Sequence, residues 1–237
     1  MQRCALTIPT SVDDLELVQS EEATISRTEN LTSLNTPRDS IKTSPCPKLQ
    51  ELQWYGETLS AMTLPCPISD MTTLSRMFVV VDNVDPAFVF PIQLMSLRLT
   101  VMGESFDVAL LSPLTRLQQL DISLLINENP LDLSGLTTLT KLDAYRSPVS
   151  GLPTSLVECQ VGLPSDTDLS PMTHLTALTV WLGQNTRVTF PTVLRNLTIK
   201  AGTLRNSNIN DLDLSSFDAD EHNYVDWKIL QKVQKRT

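Results

Sequence analysis

The sequence predicts a solenoid of short parallel strands, and three observations carry that expectation. One pattern recurs at intervals of about 20 residues, a period typical of repeat architectures. All but one of the copies end in an apolar-x-apolar pair, which points two side chains to the same face of a short strand. Of the 237 residues 38 are Leu and 27 Thr, while aromatics are only 5% and Gly only 7 residues. That profile is globular. It excludes collagen, and a disordered chain would not carry so much Leu.

The copies take two forms. The first is apolar-Pro-x-x-apolar-x-x-apolar-x-apolar. It fits Ile8-Pro9…Val12…Leu15, Phe90-Pro91…Leu94…Leu97, Leu152-Pro153…Leu156…Cys159 and Phe190-Pro191…Leu194…Leu197. The second is apolar-Ser-x-apolar-x-x-Leu-x-x-apolar-x-apolar. It fits Ile68-Ser69…Met71…Leu74…Met77, Leu111-Ser112…Leu114…Leu117…Leu120, Leu133-Ser134…Leu136…Leu139…Leu142 and Leu169-Ser170…Met172…Leu175…Leu178. Weaker copies end on Leu34 and Leu52, and a degenerate one lies at Ile209…Leu212. The strand anchors are therefore Leu15, Leu34, Leu52, Met77, Leu97, Leu120, Leu142, Cys159, Leu178 and Leu197, and their spacing is uneven. The widest gap separates Leu52 from Met77, and the narrowest separates Leu142 from Cys159.

One such unit cannot bury its apolar face alone, whereas stacked neighbours bury a continuous ladder. Strands paired at about 4.8 Å would make ten copies an arc on the order of 45–50 Å long. The Leu three residues before each anchor turns the chain into its strand and packs beneath it.

The pattern resembles the leucine-rich-repeat family, L-x-x-L-x-L-x-x-N-x-L, over about residues 8–215. The resemblance implies an α/β horseshoe-type leucine-rich-repeat solenoid. Short parallel strands would line its concave side, and a mostly irregular or 3-10 convex side would carry few helices. The family's Asn position departs from the pattern: Asp82, Met102, Leu125, Ser147, Gly183 and Gly202 stand there. Irregular turns and uneven repeats follow. The recurrent Ser eight residues before the anchor is expected to cap a short turn. The Pro six residues before it would favour an extended bend.

Residues 1–217 are expected to form this solenoid of about ten repeats. Residues 218–237 are expected to form a C-terminal capping helix, with acidic residues leading, basic residues following, and Tyr224, Trp227, Leu230 and Val233 at helical spacing. The first copy starts by residue 8 almost without a cap, so the chain is expected to be a fragment of a longer one or a degenerate product.

The net charge of −9 argues against nucleic-acid binding, which needs clustered Lys and Arg. The sequence shows neither a signal peptide nor an apolar run of the roughly 20 residues that span a bilayer, so a cytoplasmic protein without membrane insertion is expected. Cys4, Cys46, Cys66 and Cys159 form no C-x-x-C pair, and with two His in the chain a zinc site is not expected. The Cys46-Pro47 and Cys66-Pro67 dipeptides are too short to indicate haem, and these thiols are expected in apolar slots.

Function is expected on the face that flanks the buried pairs. Tyr55, Phe78, Tyr145 and Trp181, with Arg98, Asp121 and Asp143 beside them, form the candidate partner-binding surface, because Tyr, Trp and Arg dominate interface hot spots. Asp121 and Asp143 should lie on adjacent strands, with Arg98 and Lys141 neutralising them rather than leaving a catalytic pair. His174 occupies a position held by Arg116 and Thr138 in sister copies, so it is a solvated variable site. No nucleophile elbow, P-loop or metalloprotease motif is present. The expectation is a non-catalytic protein-binding module without cofactor or metal, a monomer, whose partner the sequence does not name. Alternatives are the substrate-recognition adaptor of a ubiquitin ligase, a protein phosphatase regulator, or an extracellular adhesion repeat. Arg187-Val188-Thr189-Phe190 matches a type 1 phosphatase dock, but Phe190 fills the buried slot of Phe90 and Leu152.

Overall fold

The computed structural model describes residues 4–17, 23–36, 41–60, 62–103, 106–125, 130–163, 166–182 and 188–201. The expected capping helix and the degenerate copy near Leu212 lie outside them. The described strands fall into two compact units, one carrying those up to Val101 and the other those from Gln119.

In the first unit the strands are β1 (Cys4–Thr7), β2 (Asp14–Glu16), β3 (Ala23–Ser26), β4 (Ser33–Thr36), β5 (Ile41–Thr43), β6 (Glu51–Leu59), β7 (Arg76–Val84) and β8 (Ser96–Val101). β2, β4, β6, β7 and β8 pair in parallel, in that order, as the main sheet. β1, β3 and β5 make a second parallel sheet. The anchors stack in register: Leu15 on Leu34, Leu34 on Leu52, Leu52 on Met77, Met77 on Leu97.

The second unit holds β9 (Gln119–Leu124), β10 (Leu131–Asp132), β11 (Lys141–Gly151), β12 (Glu158–Leu163), β13 (Thr167–Asp168), β14 (Ala177–Leu182), β15 (Val188–Thr189) and β16 (Asn196–Ala201). Its anchors stack in the same way, Leu120 on Leu142, then Cys159, Leu178 and Leu197. Every anchor from Leu34 onward is at most 3% exposed. Leu15 is half-buried. Each unit is thus a parallel β-solenoid with a leucine-rich-repeat-like fold, and the stacked aliphatic pairs are its core. Burying each Leu is worth about 1.5–3 kcal/mol.

The two repeat forms turn out to make one turn. The N–H of the Leu three residues before the anchor donates to the carbonyl six residues before it. Leu49 donates to Cys46 (3.1 Å), Leu74 to Met71 (3.1 Å), Leu94 to Pro91 (3.1 Å) and Leu139 to Leu136 (2.9 Å). In the second form the N–H at position −6 also donates, Met71 to Ile68, Leu136 to Leu133 and Met172 to Leu169 (3.0 Å each), a bond that Pro, which lacks an N–H, does without in the first form. The outer turns bear out the low helix content: among the described residues helical structure is confined to 3-10 turns at Ile68–Asp70 and Val108–Leu111.

Two details depart from expectation. β6 and β7 have 9 residues each and β11 has 11, longer than the short strands expected. β11 achieves this with a register shift between Ala144 and Pro148: Pro148 still pairs with Gly162 of β12, while Val149 and Gly151 at its end pair with Leu131 and Asp132 of β10. A bulge bends a strand, so one strand serves both sheets. The second departure concerns the turn cap. Ser134 is not the acceptor; its backbone N–H and hydroxyl both donate to Asp132 Oδ1 (3.0 and 2.6 Å). Asp168 Oδ1 likewise accepts the N–H of Ser170 (2.9 Å), and Asp107 Oδ1 that of Ala109 (2.9 Å). A carboxylate accepts such bonds more strongly than a hydroxyl.

In place of an Asn ladder, backbone groups bridge the turns. The N–H groups of Met102 and Gly103 donate to the carbonyls of Val81 (2.8 Å) and Asp82 (2.7 Å). The approach is close enough that a Cβ on Gly103 would collide with the Asp82 carbonyl oxygen. Glycine is needed here for space.

The Asp caps predict a pH dependence. Hydrogen bonds from Ser134 and Ser170 hold the carboxyls of Asp132 and Asp168 below the usual range. A lowered folded pKa adds stability that is fully present above the ordinary Asp value of about 3.9 and fades as pH falls through the lowered folded value. Solvent screening keeps the effect small. In urea titrations, the stability gap between wild type and an Asp132→Ala/Asp168→Ala variant should be constant at neutral pH and narrow in strong acid. A gap independent of pH would rule this out.

Candidate functional site

Alternation along the main-sheet strands puts anchors inward and the residues at −1, +1 and +3 on the solvent face. In the first unit that face brings Tyr55, Phe78 and Arg98 together. Tyr55 and Phe78 lie on β6 and β7, Phe78 in register with Gln53, and their rings meet edge to face with centroids 5.4 Å apart. Phe78 and Arg98 are register partners on β7 and β8, and the guanidinium carbon sits 5.3 Å from the Phe78 ring centroid. Both aromatics are half-buried, Arg98 exposed. Edge-to-face rings and a guanidinium over a ring face are each worth about 0.5–1.5 kcal/mol, so the three side chains hold one another in place.

The same face carries an ordered ion pair. Arg76 Nη2 lies 3.0 Å from Glu51 Oε2, and Gln53 Nε2 donates to Glu51 Oε1 at 3.1 Å. The opposite positions of Glu51 and Arg76 in the β6–β7 register decide this pairing.

The second unit brings other candidates together. Asp121 and Asp143 are register partners on β9 and β11, as expected, and both are half-buried. Lys141 does not serve primarily to neutralise them: its Nζ lies 2.8 Å from Glu158 Oε2. Glu158 holds Lys141 charged by hydrogen bond and by charge, with a lesser contribution from Asp143. Trp181 is half-buried on β14, with Lys200 Nζ of β16 4.7 Å from its ring centroid. Tyr145 lies in β11, and its side chain is outside the described residues.

The remaining sequence candidates resolve simply. His174 is exposed. Val188 and Phe190 are 4% and 5% exposed, so the two apolar residues of the phosphatase-type tetrapeptide are folded into the core. Burial pushes the Cys159 thiol up to about 12, with a further rise from Asp143, leaving it protonated and unreactive. Cys46 and Cys66 are buried too, but in a polar setting rather than an apolar slot: Thr43 Oγ1 is 3.3 Å from Cys46 Sγ. Among the described residues no group of three or more His, Cys, Asp or Glu is placed to hold a metal ion. No helix there is long and apolar enough to cross a membrane.

The stacked anchors and parallel rungs define a leucine-rich-repeat-like solenoid. No protein-family model matches the chain, and no curated protein matches it. Among solved structures, the crystal structure of an internalin (inlF) from Listeria monocytogenes str. 4b F2365 is similar, with a TM-score of 0.47 and 19% sequence identity, covering 90% of this chain and 70% of that chain.

Proposed function

We propose that the chain is a non-catalytic, cytoplasmic protein–protein interaction module that binds its partner as a monomer through the solvent face of its main sheet, without a cofactor. The observation that carries this reading is the Tyr55–Phe78–Arg98 cluster. Aromatic and Arg side chains that are already fixed lose little entropy when a partner docks, and such residues dominate binding energy. Trp181 with Lys200 offers a second anchor of the same kind, and Asp121, Asp143 and Tyr145 complete the candidate set. A net charge of −9 disfavours nucleic acid as the partner. Adaptor and adhesion roles are versions of the same binding mode and differ in what lies outside this chain.

Proximity labelling tests the proposal. Wild type, Tyr55→Ala/Phe78→Ala and Trp181→Ala baits should differ, the double variant losing partners that wild type enriches. Truncating one hot-spot side chain costs about 2–4 kcal/mol, at least a tenfold loss of affinity. Identical partner sets for all three baits would end the proposal.

A further inference from the structure

The repeat that ends on Met77 is the longest in the chain, and its extra length is spent at residues 60–67. This segment folds against the preceding turn. Thr43 N–H donates to the Pro65 carbonyl (2.8 Å), and Lys42 Nζ donates to the carbonyl of Leu64 (3.0 Å) and to that of Met62. Those bonds set Cys66 beside Cys46: Thr43 Oγ1, 3.3 Å from Cys46 Sγ, lies 3.4 Å from the carbonyl oxygen of Pro65, the residue before Cys66. Cys46 Sγ meets Thr43 Oγ1 (3.3 Å) and donates to the Ser44 carbonyl (3.3 Å), and the hydroxyl of fully buried Thr28 donates to that same carbonyl (2.8 Å). Both cysteines are at most 2% exposed and Pro65 is buried with them, whereas Pro45, Pro47 and Pro67, their other neighbours in sequence, are exposed. The pair therefore sits one residue below the surface.

We propose that Cys46 and Cys66 form an oxidative modification site, a dithiol that hydrogen peroxide closes to an intrachain disulfide between successive repeats. Cys46 is the attacking sulfur. Hydrogen bonds from Cys66, Thr43 and Thr28 outweigh its burial and hold its thiol below the ordinary range, and Cys66, the donor, is raised. The Cys46 thiolate attacks one peroxide oxygen. The S–O bond forms, the O–O bond breaks, and the departing hydroxide takes a proton to leave as water. Cys66 then gives up its proton and attacks Cys46 Sγ. The S–S bond forms, the S–O bond breaks, and a second water leaves. Two thiols are oxidised by two electrons and one peroxide is reduced to two waters. Closing the disulfide brings the two sulfurs to about 2.05 Å. The product ties the segment at 60–67 covalently to the turn it already rests on.

The test treats the native full-length chain with equimolar hydrogen peroxide, unfolds it, blocks free thiols with iodoacetamide and digests with trypsin. Lys48 lies between the two cysteines, so cleavage separates peptides 43–48 and 49–76 unless a disulfide joins them. The expected result is the joined pair, lighter by two hydrogens and separated again by dithiothreitol, with Cys159 alkylated. In Cys66→Ser, dimedone should label Cys46 after peroxide; in Cys46→Ser it should leave Cys66 unlabelled. The proposal is overturned if Cys46 and Cys66 are both recovered alkylated, if either is joined to Cys4 or Cys159, or if the link forms only in guanidinium chloride.

Discussion

Truncating Trp54 to alanine is expected to lower the stability of the first unit by about 3–5 kcal/mol, the range for emptying a fully buried large aromatic site. Trp54 is 0% exposed and sits two residues past its anchor, between Thr36 on β4 and Val79 on β7. Its register partners Thr36 and Val79 are both smaller than Trp, so neither fills the hole that truncation leaves. The indole also carries a defect: its Nε1 is buried and finds no acceptor among the described residues. An unsatisfied buried donor costs about 1–3 kcal/mol. Trp54→Phe removes that donor while keeping most of the ring, so it should be far milder than Trp54→Ala, within about 1.5 kcal/mol of wild type. Urea unfolding, followed by hydrogen exchange at β4, β6 and β7, checks both. Equal losses for Phe and Ala would mean that the N–H is satisfied after all.

Leu142→Ala is expected to cost about 2–5 kcal/mol in the second unit, while Lys141→Ala, one residue away, should stay within about 0.5 kcal/mol. Leu142 is 1% exposed and stacked between Leu120 and Cys159. Its loss interrupts the ladder at that rung. In a solenoid, stability is close to a sum of neighbour terms. Hydrogen-exchange protection should therefore fall first in β9, β11 and β12. Lys141 makes an ion pair with Glu158 in which both side chains are more than half exposed, and such pairs contribute little. Uniform loss of protection across β9–β16, or a large effect of Lys141→Ala, would contradict the stacked-ladder account.

The anchors were legible because they obey a local rule. An apolar-x-apolar pair preceded by a Leu defines one face of one strand, and rungs at a fixed separation leave one register that buries all the pairs. That is why Leu34, Leu52, Met77 and Leu97 stack as the repeat pattern implied. The residues of the solvent face were legible by the same alternation. Which of them touch was not, since an edge-to-face Tyr55–Phe78 pair depends on neighbouring rungs and rotamers. The Asp caps were missed for another reason. The recurrent Ser drew attention, yet the stronger acceptor stood two residues upstream.

The sequence by itself determined the rung: its period, its buried pair, and the Leu three residues before the anchor that packs beneath the strand. These follow from chain geometry and the need to remove Leu from water. Only the tertiary structure decided the division into two units, the bulge at Pro148, the meeting of Cys46 with Cys66, and the partners that Lys141 and Arg98 take. Each of these joins residues from different copies of an uneven repeat. When copies differ in length as much as those ending on Met77 and Cys159, position within a copy no longer says which side chains become neighbours.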